Sequence, residues 1–256
     1  MKSLFVLVAL GAIMVAGNAS TQTTVRPWLN ADVTAYIETW QKRPTPKSDP
    51  FIGPESSPYS GKQVLLEFEL TGPDGKADFF SWSYDREAKT LKLTARAIDI
   101  SATNTFKVGG DFTPPLAKLS GFYLTTDRRS LATERRENSY GASAEVEVVV
   151  ENQTGVASYS PTGGGLPPGD RFGAYDHTLT IEPEEARSLV PYVRFMALGV
   201  IQDNSDGHPV MCGSHYYEPT IRHPVEVSGD ACVLNVTWVA FAFIDKRTGA
   251  QLRTWG

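Results

Sequence analysis

Hydrophobic positions recur with two different periods along this chain, and the change from one to the other divides it. Asn30 can cap a helix, and Val33, Tyr36, Ile37 and Trp40 then follow at helical spacing on one face. Pro44, Pro46, Pro50, Pro54 and Pro58 exclude regular structure immediately afterwards. Residues 20–60 therefore read as an N-terminal arm, a short helix plus a Pro-rich connector. Such an arm either reaches for a partner or covers its own sheet, and burial is the commoner use of an apolar helical stripe.

From Gly61 the period becomes two, and residues 61–256 read as one β-rich domain. Val64, Leu66, Phe68 and Leu70 alternate with polar residues that include Glu67 and Glu69. FFSWSYD and TLKLTARAI flank the polar turn DREAKT, the pattern of a hairpin. In AEVEVVVE, Val146, Val148 and Val150 oppose Glu145, Glu147 and Glu151, as on a strand with one wet face. VRFMALGVI and CVLNVTWVAFAFID are apolar on both faces and predict central strands. The chain closes with a strand, a turn in which Gly249 takes a left-handed position, and a last strand. Helix is scarce. PEEARSL begins at Pro183 with Glu184 and Glu185 at its positive end and is stopped by Pro191, and TDRRSLATERREN has room for another turn or two. TGGGLPPGD, residues 162–170, reads as a loop. The expected fold is mainly β: an antiparallel β-sandwich or two packed sheets with few short helices, preceded by the arm.

Composition places the molecule. Residues 1–19 have the form of a secretory signal peptide: Lys2, an apolar run from Leu4 to Ala16, and the small residues Gly17 and Ala19 before a mature start at Ser20. The run is short for a bilayer of about 30 Å, and no later stretch is long enough to span one. A secreted or periplasmic, soluble, non-membrane-spanning protein is expected. A net charge of −5 gives no reason to expect nucleic acid as a partner.

Both cysteines and three of the four histidines fall between His208 and Cys232. His208, Cys212, His215, His223 and Cys232 are of the right types for zinc or copper, but no close cysteine knuckle is present. His208 and His223 each precede a proline, as turn residues do. In an exported protein, two cysteines are expected to pair, so a Cys212–Cys232 disulfide is preferred over a metal site or reactive thiol, and no cofactor is expected.

Nucleophilic chemistry has weak footing. GASAE around Ser143 lacks the final glycine of a nucleophile elbow, and a Ser214–His177 pairing would have to be assembled by the fold. The acids Glu182, Glu184 and Glu185 suit a helix start, and Asp203 and Asp206 suit a turn. Phe80, Trp82 and Tyr84 share one strand face, where such a row either stacks on sugars or fills a core. Arg128, Arg129, Arg135 and Arg136 gather in a polar stretch interspersed with Glu134 and Glu137. Asn152 and Asn235 head N-glycosylation acceptor patterns. The function expected is that of an exported, non-catalytic protein binding a protein or an envelope glycan. Trp40, Trp82, Tyr84 and the four arginines are its candidate surface, and a secreted hydrolase acting on glycan or peptide is the alternative.

Overall fold

The computed structural model describes residues 26–42, 57–72, 79–100, 105–108, 111–112, 118–137, 140–160, 165–167, 169, 173–204, 207–220 and 222–256. The expected signal peptide, most of the Pro-rich connector, most of the glycine-rich loop and Asp206 lie outside them.

The fold is mainly β, with two packed sheets and two short helices. In chain order the elements are α1 (Asn30–Gln41), β1 (Gln63–Glu69), β2 (Phe80–Asp85), β3 (Thr90–Arg96), β4 (Ile98–Asp99), β5 (Thr105–Val108), β6 (Asp111–Phe112), β7 (Lys118–Glu137), β8 (Ser143–Ser160), β9 (Ala174–Thr180), α2 (Pro183–Leu189), β10 (Val193–Ile201), β11 (Val210–Tyr217), β12 (Val225–Asp245) and β13 (Ala250–Trp255). β2, β3 and β9 form a three-stranded sheet, and the other ten strands form the larger one.

β12 organises the larger sheet. It is 21 residues long, and two sets of neighbours divide it. Its first half pairs with β8 and β11, and its second half with β10 and β13. Asn235 marks the join: its backbone N–H donates to Pro209 and its carbonyl accepts from Gln202, so β10 and β11 follow one another along a single edge. The β8–β12 pairing is parallel, a departure from an all-antiparallel sheet. Burial of β12 on both faces permits this, as the unbroken apolar run suggested. A register shift opposite Leu198 and Gly199 sets Val239 aside, and Trp238 and Phe241 can then point into the same core.

That core is aromatic. Phe68, Phe80, Phe122, Phe195 and Phe241 pack with ring centroids 4.3–5.7 Å apart between neighbours. Leu91, Leu93 and Tyr175 of the smaller sheet complete it. The opposite face of the larger sheet buries a second cluster around Leu119, Met211 and Val233.

α1 is part of the same core. Val33, Tyr36 and Ile37 are buried with β1 and β12 residues, and Trp40 packs on them half-buried. Asn30 does not cap the helix. Leu29 occupies the cap position, its N–H donating to Asp32 Oδ2 at 2.9 Å, while the Asn30 amide grips the backbone of Glu67 in β1. The amide thereby gives β1 the donor and acceptor that a neighbouring strand would supply at Glu67.

One expected helix is corrected outright. TDRRSLATERREN is not helical as far as Glu137: that much of it belongs to β7, a strand of 20 residues paired with β8 along its length. All its side chains from Thr125 onward are exposed, so neither a two-residue nor a helical apolar period exists to read. α2, the β2–β3 hairpin and the closing turn, with Gly249 at φ 74°, match expectation.

Candidate functional site

The two cysteines sit opposite one another in the β11–β12 register, and their sulfurs are bonded. The two side chains share one face of the sheet, Cys232 buried with the main core and Cys212 at its exposed margin, so the bridge staples two strands already aligned by their hydrogen bonds. The three nearby histidines do not converge on it. The His208 ring packs against Trp40 with centroids 4.9 Å apart, His215 is buried on β11, and the backbone of His223 closes a turn with Thr220. Among the described residues no group of three His, Cys, Asp or Glu is placed to hold a metal ion.

The residues considered for nucleophilic chemistry fall in different sheets. Ser214 lies in β11 of the larger sheet and His177 in β9 of the smaller one. Burial and the charge of Arg253 hold the His177 imidazole below its ordinary pKa. Glu182 pairs with Lys89 and Glu184 with Arg187 on the exterior, and Asp203 accepts the N–H of Ser57. Asn235 is buried, its amide donating to Gln202 O and accepting from Tyr159 N, whereas Asn152 is exposed.

The candidate surface residues separate into two groups. Trp82 and Tyr84 are half-buried against the main core, and the Tyr84 hydroxyl donates to Ile181 O at 2.8 Å. Trp40 belongs to the α1 contact with the body. The four arginines lie together on the outer half of β7. Arg128 pairs with Glu151 at 3.5 Å, Arg129 with Asp127, and Arg136 with both Glu134 and Glu226, while Arg135 donates to Ser143.

This outer half of β7 has a geometry that the sequence reading missed. From Thr125 to Glu137 every side chain is exposed. One edge of the strand bonds to β8, and among the described residues no strand pairs with the other edge beyond Gly121. A strand edge left in this way presents alternate unpaired N–H and C=O groups. Leu131, 64% exposed, sits at a register shift in the middle of it. The shift has a consequence for the side chains. Asp127 and Arg129 lie opposite Asn152 and Val150, and Glu134 and Arg136 opposite Val146 and Ala144, so all four β7 residues share one face. Arg128, Ser130, Thr133 and Arg135 share the other. The only sequence signal for this edge was its density of paired charges without apolar periodicity.

Comparison with family models, with curated proteins and with solved structures finds no match to the chain.

Proposed function

We propose that the protein is exported, carries out no catalysis, and binds a protein partner or envelope component through the free edge of β7. The observation that carries this reading is the thirteen-residue stretch Thr125–Glu137, exposed throughout and unpaired along one edge among the described residues. Strand addition at such an edge supplies main-chain hydrogen bonds, and the flanking charges select the partner. Export is supported by the N-terminal sequence pattern and by the disulfide, a bond that persists in oxidising compartments. Among the described residues no helix is long and apolar enough to cross a membrane.

The test is affinity capture from the native envelope with the wild type and with Thr133→Pro or Glu134→Pro, successive positions in the regular stretch beyond the register shift. One of them presents its N–H outward and loses only that donor, while the other breaks a bond to β8, and the melting temperature tells the two apart. The reading expects the partner lost with the proline that leaves the melting temperature unchanged, and a mature N-terminus at Ser20 in the exported protein. Equal capture by all three proteins would overturn it.

A further inference from the structure

The β7 edge is complementary to itself, and we infer that its occupant is the β7 edge of a second copy, paired antiparallel about a two-fold axis between Leu131 and Ala132. This inference rests on the reading of β7 as the binding edge and names the partner.

Phase and charge together favour self-pairing. An antiparallel partner places side chains of the same face opposite one another. In a regular strand Asp127 and Arg136, nine positions apart, would lie on opposite faces. The register shift at Leu131 brings them to one face, together with Arg129 and Glu134. The axis between Leu131 and Ala132 then sets Asp127 against Arg136 of the second copy, and Arg129 against Glu134. By symmetry each pair occurs twice, giving four opposite-sign contacts along one face. On the other face Ser130 meets Thr133 and Thr126 meets Glu137. Arg128 meets Arg135, a like-charge pair, but Arg128 carries its own Glu151 and Arg135 lies directly opposite Glu145 in β8.

Other registers are worse. Moving the axis onto Leu131 itself pairs residues of opposite faces across the shift. Moving it a full residue earlier, to between Ser130 and Leu131, sets Asp127 against Glu134. The favoured axis also places exposed Leu131 beside Ala132 and Leu131 of the second copy, so the most exposed apolar side chain of β7 becomes covered. The ion pairs made within one chain, Arg129 with Asp127 and Arg136 with Glu134, use the same groups, and Arg136 must also exchange its contact with Glu226 of β12 for Asp127 of the second copy.

Sedimentation and native mass spectrometry of the mature, disulfide-intact protein test this at about 100 µM, a concentration that detects small, weak interfaces. The wild type is expected to be dimeric at low ionic strength and to dissociate as salt screens the pairs. Arg129→Glu sets the new carboxylate against Glu134 twice per dimer and should weaken association about tenfold, as should Glu134→Arg. The double variant Arg129→Glu/Glu134→Arg restores opposite signs across the axis, although it keeps like charges within each chain beside Asp127 and Arg136. It should recover wild-type association to within about threefold. Far-UV circular dichroism and melting temperature establish that each variant folds, and Asp127→Arg/Arg136→Asp provides a second exchange should the first fail to fold. A monomeric wild type, single variants that associate as the wild type does, or a double variant no better than the singles would each overturn the proposal. A monomeric wild type that still loses an envelope partner with one of the two prolines would remove self-pairing and leave β7 as a binding edge.

Discussion

Replacing Asn30 by alanine tests whether the N-terminal helix is structural. The Asn30 side chain donates from Nδ2 to Glu67 O at 2.8 Å and accepts from Glu67 N at 2.9 Å. It thereby supplies both hydrogen bonds that a neighbouring strand would supply at that position of β1. Each such bond contributes about 1 kcal/mol net. Water can reach the part-buried Glu67 backbone once the amide is gone, so the full penalty of an orphaned buried group does not apply. The expected loss for Asn30→Ala is about 2 kcal/mol. In a domain of this size that lowers the melting temperature by about 4–8 °C. Asn30→Asp keeps the acceptor but sets a carboxylate oxygen against the Glu67 carbonyl, and should cost at least as much as alanine. Chemical denaturation with an unchanged m-value is the assay, since the helix unfolds with the body if its apolar face belongs to the same core. An Asn30→Ala protein as stable as the wild type, or one that loses the helix in a separate earlier transition, would refute the reasoning.

Joint replacement of Cys212 and Cys232 by serine opens a loop of 20 residues' separation and should lower stability by about 3 kcal/mol, measured by denaturation beside the wild type. Gly229→Ala should destabilise by about 3 kcal/mol, because an added Cβ would lie 1.8 Å from the backbone oxygen of Glu151, forcing β8 and β12 apart; a neutral effect on the melting temperature would contradict the parallel pairing. Burial pushes the Asp245 carboxyl up, but hydrogen bonds and charge from Arg247 outweigh it and hold the pKa below the ordinary carboxylate value. Asp245→Asn should cost about 1–2 kcal/mol at neutral pH. Because the folded pKa is depressed, this contribution is complete above the ordinary carboxylate value of about 3.9 and disappears as pH falls through the lower folded value. Melting temperatures of the two proteins should therefore converge in acid.

Where the chain is buried on one face or both, its pattern was readable. The alternation around Val64, Leu66 and Phe68, the two-sided apolar runs of β10 and β12, and the helical stripe of α1 all correspond to surfaces in the core. Burial writes a period into a sequence, and where burial stops the period does too. β7 beyond Thr125 has no buried face, so its Arg- and Glu-rich stretch carried as much helical as extended character. The parallel pairing of β8 with β12 was equally illegible, since β8 gave the mixed pattern of a half-covered strand. Asn30 was misassigned for a different reason: an amide placed before an apolar stripe caps helices often, and its tie to residue 67 is a long-range contact that no local pattern encodes. The candidate surface divided the same way. Trp82 and Tyr84 pack half-buried against the core, and the arginines stay outside.

The most direct measurement is photocrosslinking in the cells that make the protein, with a photoreactive side chain placed at Leu131 and, as control, at Glu87 in the exposed β2–β3 turn. A covalent adduct from position 131 and none from position 87 is the predicted result, its mass giving either twice the chain or the chain plus one partner. Equal adducts from both positions, or none from position 131, would contradict the assignment of β7 as the binding edge.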